Sequence, residues 1–220
     1  MKKIILILFI NLTLSAQPTL LSWNLADFGS SKSDSTIVFI ATQIKNYDIV
    51  ALQEIVVNPS GAQALAQLAN ELNRTGKKWD YVISNPTSSS AYKTERYAFL
   101  WQIGSVQLVG EPWLEKKYTL EIDREPFYAT FQYQNKQFTI ANFHAITKKR
   151  QPETEIKYFK FLPEQYPDLN LLFVGDFNCP ETHSVFNRLH TLGTEWHTGR
   201  PALNLIQGPG VFLYCFFWER

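Results

Sequence analysis

Cysteine occurs only twice in the 220 residues, at Cys179 and Cys215, which excludes a small domain held together by a disulfide framework. Free thiols are the expectation for both. An excess charge of either sign is missing as well. The formal net charge is +1, so no basic field advertises a polyanionic partner, and any such partner would have to be gripped by positive potential lining a cleft. Charged residues at 19 % beside 45 % hydrophobic ones exclude a disordered chain. Long apolar runs are absent too. Residues 4–14 form a short one, behind the basic tip Lys2-Lys3 and ahead of the small pair Ser15-Ala16. It is too short for a membrane span and reads as a secretory signal peptide over residues 1–16. Loss of that segment would leave 19 basic against 20 acidic residues. The expectation is an exported chain with no membrane attachment after cleavage. No internal repeat, linker or low-complexity block divides the remainder, so one domain is expected.

What is present is aromatic and strand-like: 16 Phe, 10 Tyr and 6 Trp suit a β-rich core. A strand over 19–25 is followed by a helix capped by Asp34, with Ile37, Ile40, Ala41 and Ile44 at helical spacing. A short strand over 48–53 leads to Glu54, and a second helix covers 61–73 with Gly76 beyond it. Short strands follow at 79–84, 97–101 and 106–109. Residues 127–133 and 137–142 flank Gln134-Asn135-Lys136 as a β-hairpin. A helix over 152–165 then precedes an apolar strand at 170–174. The β-α-β-α opening favours a layered α/β fold.

Polar clusters sit where these runs end: Trp23-Asn24, Gln53-Glu54, Asn142-Phe143-His144 and Gly175-Asp176-Phe177-Asn178. In open α/β sheets ligands gather beyond the carboxyl ends of the strands, so four such exits predict a catalytic cleft. With Tyr92-Lys93-Thr94-Glu95-Arg96-Tyr97 and Arg124-Glu125-Pro126 added, the ordered set resembles the deoxyribonuclease I-like branch of the endonuclease/exonuclease/phosphatase superfamily over residues 19–187. The resemblance implies a four-layer α/β sandwich of two mixed β-sheets flanked by helices, and metal-dependent hydrolysis of nucleic-acid phosphodiesters by a monomer, with DNA preferred over RNA. It implies Glu54, Asn24 and Asp176 at a metal centre, with Mg²⁺ favoured by ligand hardness and Mn²⁺ as a substitute; structural Ca²⁺ cannot be assigned to particular residues. His144 would do acid/base work oriented by Glu95, with Asp176 and Asn178 in the catalytic set. Asn178 would also bind the scissile phosphate. Arg124 and Tyr92 resemble residues that touch the DNA backbone, with ordinary packing the alternative for Tyr92.

The pattern breaks after Asp176. No further Asp follows, the last histidine is His197, and residues 207–220 form an apolar, aromatic tail without a family-like phrase. The domain is therefore expected over 17–206, C-terminally truncated, with its final strands missing. Loss of acid/base help typically costs about 10²- to 10⁴-fold in rate, so impaired activity is expected. Two other readings share these residues: a non-catalytic DNA-binding remnant, and a phosphodiesterase acting on a non-nucleic substrate.

Overall fold

The computed structural model describes residues 17–89 and 94–191, and the backbone of 211–215. The chain opens with β1 (Leu20–Phe28), α1 (Asp34–Ile44), β2 (Ile49–Ile55) and α2 (Pro59–Asn73). These are followed by β3 (Trp79–Ile83), β4 (Arg96–Gln102), β5 (Gln107–Leu114), β6 (Phe127–Tyr133) and β7 (Lys136–His144). Two one-turn helices, α3 (Glu153–Ile156) and α4 (Leu162–Gln165), lead to β8 (Leu171–Asp176), α5 (Asn187–Thr191) and β9 (Val211–Cys215).

The strands form two mixed sheets, of order β1-β2-β4-β3 and β5-β6-β7-β8-β9. Each contains parallel pairing, β1 with β2 in the first and β7 with β8 in the second. Their inner faces share one core, in which Phe99 and Trp101 of the first sheet meet Phe127 and Phe131 of the second. On the outer face of the first sheet, Ile37, Ile40, Ala41 and Ile44 of α1 and Leu65, Leu68 and Leu72 of α2 bury a second cluster. A third, aromatic cluster lies outside the second sheet: Phe143 packs 4.6 Å from Phe159 and 5.3 Å from Phe177, centroid to centroid. The result is the expected helix–sheet–sheet–helix layering.

Three local expectations are corrected. Ser33, not Asp34, caps α1: its side chain accepts from Thr36 N, and Asp34 is the first helical residue. The helix expected over 152–165 is broken into α3, a 3₁₀ turn at Phe159–Phe161 and α4. Pro163 explains the interruption, because a proline ring is tolerated in the first turn of a helix but not in its interior; it sits in the first turn of α4. Finally, the tail set apart at 207–220 supplies a strand. β9 lies parallel to β8, from Leu171↔Val211 to Gly175↔Cys215, so the second sheet continues beyond β8. Cys179 is a buried free thiol. The expected signal segment, His197 and Tyr92 lie outside the described residues.

Candidate active site

Six chain segments end at the same edge of the sandwich. The parallel pairs bring the carboxyl ends of β1, β2, β7 and β8 there, carrying Asn24, Glu54, His144 and Asp176. β4 and β6 run antiparallel to β2 and β7, with Ile55 opposite Arg96 and Phe127 opposite Asn142. The residues just ahead of them, Glu95 and Arg124, therefore reach the same edge. The first sheet contributes Asn24, Glu54 and Glu95; the second contributes Arg124, His144 and Asp176. Neither sheet alone holds the site.

Irregular backbone aims the first two residues. Register shifts interrupt β1–β2 between Asn24 and Phe28, and β2–β4 between Leu52 and Ile55. Within these bulges Ala26, Asp27 and Glu54 have φ of 47°, 54° and 60°. Such non-glycine conformations cost on the order of 1–3 kcal/mol each and persist where surrounding bonds over-determine them. Those bonds are present. Glu54 N donates to Glu95 Oε1 at 3.3 Å, Asp27 N to Glu54 Oε2 at 3.0 Å, and Ala26 N to Asn24 Oδ1 at 2.9 Å.

Beneath the site a buried polar clamp fixes one sheet against the other. Gln53 Nε2 donates to Asn142 Oδ1 at 2.6 Å and to Ser22 Oγ at 3.0 Å. Asn142 Nδ2 donates across the sandwich to Leu52 O at 3.0 Å and Ala98 O at 3.3 Å. Tyr97 is a third tie: its hydroxyl accepts from His144 N at 3.1 Å and donates to Arg124 O at 3.3 Å. Burial holds the Tyr97 phenol well above its ordinary pKa, with the Glu95 charge adding to the effect, so it stays a neutral donor. Tyr97, Gln53 and Asn142 lie inside the sequence motifs, but nothing in the linear pattern assigns them these ties.

His144 stands at the centre, 5 % exposed. Its Nδ1 lies 2.9 Å from Glu95 Oε2 and 3.2 Å from Glu95 Oε1. In the neutral ring this bond places the proton on Nδ1 and leaves Nε2 as an acceptor. Nε2 faces Asn24 Nδ2 at 3.5 Å, Glu54 Oε1 at 3.8 Å and Asp176 Oδ2 at 3.9 Å. Glu95, itself buried, also takes a hydrogen bond from Arg124 Nη1 at 3.2 Å.

Arg124 is placed differently from a residue that reaches for a DNA backbone. It is 9 % exposed. Besides Glu95, its guanidinium donates through Nε to His144 O at 3.0 Å and through Nη2 to Ala145 O. The cation is committed to holding Glu95 and the β7 exit, because a buried guanidinium needs an acceptor on each side of its planar fork. Asn178 has φ of 48° and accepts no structural strain beyond what Asn tolerates. Its backbone N donates to Asp176 Oδ1 at 3.1 Å and its Nδ2 to Ala145 O at 3.0 Å.

Asn24 Nδ2 donates to Glu54 Oε1 at 2.8 Å and to Asp176 Oδ2 at 3.2 Å. Two carboxylates from opposite sheets thus accept from one amide NH₂ group. Among the described residues no group of three or more His, Cys, Asp and Glu is arranged to hold a metal. The donor set fits a hard cation that takes one or two carboxylates and completes its shell with water and phosphate oxygens, as Mg²⁺ does.

An α/β sandwich with an oriented histidine and converging carboxylates at its strand exits defines a polar cleft shared between two sheets. Residues 21–218 match the Endonuclease/Exonuclease/phosphatase family, and the chain belongs to it. Members of this family generally depend on a divalent metal. A deoxyribonuclease of Thioalkalivibrio sp. (strain K90mix) is 29 % identical over 194 residues, covering 82 % of this chain and 51 % of its own length. The chain thus spans about half of that curated relative. Among solved structures, an endonuclease/exonuclease/phosphatase family protein from Bacteroides thetaiotaomicron superposes with a TM-score of 0.58 at 17 % identity, over 82 % of this chain and 73 % of its own. D. rerio TDP2 complexed with a single-strand DNA product gives 0.53 at 16 % identity, over 81 % and 65 %. Both share the fold.

Proposed function

We propose that the protein is a metal-dependent phosphodiesterase that cleaves nucleic acid, with DNA as substrate, and acts as an exported monomer. The observation that carries the reading is His144, pinned by Glu95 on Nδ1 while Nε2 faces Asn24, Glu54 and Asp176. The deoxyribonuclease relative and the TDP2–DNA structure support nucleic acid over other phosphodiesters. Export rests on residues 1–16 alone.

A divalent cation held by Glu54 and Asp176, Mg²⁺ with Mn²⁺ as a substitute, would offset negative charge on the phosphate oxygens. The chain's own groups do the rest. His144 Nε2 takes a proton from the attacking water, and the Glu95 carboxylate holds the ring in place and stabilises the imidazolium that forms. Arg124 acts through Glu95 as a positioning residue. Asn24 stands beside that metal position with both amide hydrogens directed at the two carboxylates, and Asn178 borders the same edge. His144 is the one imidazole that the described residues bring to these carboxylates, so turnover is expected to be slow.

Plasmid nicking by the purified chain tests the reading. Relaxed circles should accumulate with Mg²⁺ or Mn²⁺ and should fail to appear with chelator or with His144→Ala. A folded protein that retains DNA in a salt-sensitive manner but never nicks it would replace a hydrolase with a binding protein.

A further inference from the structure

Two cavities differ sharply in what they could accept. The larger, about 570 Å³, lies between the β3 and β5 edges and is lined by Glu111, Glu115 and Glu125 with Lys116. That charge balance repels a polyanion, and none of the site residues lines it. The smaller, about 270 Å³, opens between β1 and α1 and includes Asn24 and Asp176 themselves. It therefore continues the candidate site. Trp23, Phe39 and Ile40 make it apolar, while Lys32 and Thr36 add a cation and a hydroxyl.

Phe39 is unusual here. α1 buries Ile37, Ile40, Ala41 and Ile44 against the sheet, yet Phe39 is 57 % exposed and lines the cavity. Lys32 is held over the same opening, its Nζ donating to Ala26 O at 2.6 Å. An aromatic floor beside a fixed positive charge is how proteins hold single-stranded nucleic acid: bases stack on the rings and the cation tracks the backbone. The volume lies just under the roughly 300–1,000 Å³ of drug-sized ligand sites, which suits one flat heterocycle. A base paired inside a duplex enters a side groove only after it is unpaired and unstacked, a free-energy cost that an unpaired base does not carry.

We propose that the groove between β1 and α1, lined by Trp23 and Phe39 with Lys32 at its mouth, receives an unpaired nucleobase next to the scissile phosphate. This rests on the phosphodiesterase reading of the adjacent site. It makes the enzyme selective for single-stranded or frayed positions over intact duplex.

The test uses single-stranded oligonucleotides with one cleavable phosphodiester among methylphosphonates, intact or abasic on either side of it, alongside the matching duplex. The wild-type protein with Mg²⁺ should lose about tenfold or more in kcat/KM when the flanking base on one side is removed. It should also cut the duplex more slowly than the single strand. Phe39→Ala should abolish that discrimination by slowing the intact substrate to the abasic rate, and Phe39→Tyr should restore it. Equal rates on intact and abasic strands, or discrimination that survives Phe39→Ala, overturn the proposal. Fluorescence anisotropy of the fully methylphosphonate-protected strand gives the same comparison without turnover. Base-dependent binding lost in Phe39→Ala, with no cleavage by any form, supports the groove and refutes the phosphodiesterase. Cleavage without base dependence does the reverse.

Discussion

Replacing Glu95 with glutamine isolates what the buried carboxylate contributes. Glu95 accepts from three donors: His144 Nδ1 at 2.9 Å, Arg124 Nη1 at 3.2 Å and Glu54 N at 3.3 Å. A glutamine has one acceptor oxygen, and its amide nitrogen must face a donor that it cannot satisfy. Hydrogen bonds to charged groups contribute about 1.5–3 kcal/mol each, and a buried cation deprived of its partner costs about 3–5 kcal/mol. A net loss of about 3 kcal/mol is expected for Glu95→Gln, which lowers Tm by roughly 6–12 °C for a chain of this size. The catalytic effect is separate. With its orienting carboxylate gone, the ring no longer holds Nε2 toward Glu54 and Asp176, and acid/base assistance of about 10²- to 10⁴-fold is at stake. Initial nicking rates of Glu95→Gln should fall at least a hundredfold with little change in the DNA concentration giving half-maximal rate. Because the two residues act as one unit, Glu95→Gln combined with His144→Ala should be no slower than His144→Ala alone. A Glu95→Gln protein that unfolds at the wild-type temperature and nicks within threefold of the wild-type rate would refute the reasoning.

Gly175 has φ of 142°, and a Cβ there would meet Phe143 O at 1.7 Å. Gly175→Ala should push β8 from β7 and cost several kcal/mol, read as a drop in urea midpoint. In the Gln53–Asn142 clamp, Asn142→Leu should cost about 1–3 kcal/mol by taking from buried Gln53 its shortest hydrogen bond, and adding Gln53→Leu should recover part of it; equal midpoints for the single and double variants would contradict this. Burial pushes the Glu155 carboxyl above its ordinary pKa, against hydrogen bonds from Ile146 N and Asp123 N. The native state therefore binds this proton more tightly than the unfolded one, and its contribution to stability falls as pH rises from about 4.3 through the raised native value. Glu155→Gln should flatten that fall in denaturation midpoints measured from pH 4 to 7. Mg²⁺ at tenfold its Kd should stabilise the wild-type protein by about 1.4 kcal/mol, and Glu54→Gln should remove the increment in thermal melts.

Much was legible in the sequence because it was periodic or punctuated. Helical spacing of Ile37, Ile40, Ala41 and Ile44 marked α1, and apolar runs ending in Glu54, His144 and Asp176 marked β2, β7 and β8. Those residues carry their message locally, since a strand buried on both faces reads as a near-continuous apolar run until it exits. The resemblance carried by the ordered motifs named Asn24, Glu54, Glu95, His144 and Asp176, which the fold brings to one edge. Arg124 shows the limit: an Arg-Glu-Pro phrase looks the same whether its cation faces solvent or a buried carboxylate, and only packing turned it inward to Glu95. Pro163 and β9 mark another limit. A helix break depends on where the second half can still pack, and a tail becomes a strand only when β8 offers it an edge.

By itself the sequence determined the element types, the layered α/β class and the chemical identities of the groups at the strand ends. The tertiary structure decided which of them meet. Glu54 and Asp176 are 122 positions apart and lie in different sheets, yet both reach the Asn24 amide. Their approach depends on bulges with positive φ, on the Gln53–Asn142 clamp and on two sheets packed in one register. These are non-local contacts, and a linear pattern records them only as isolated polar residues within apolar runs.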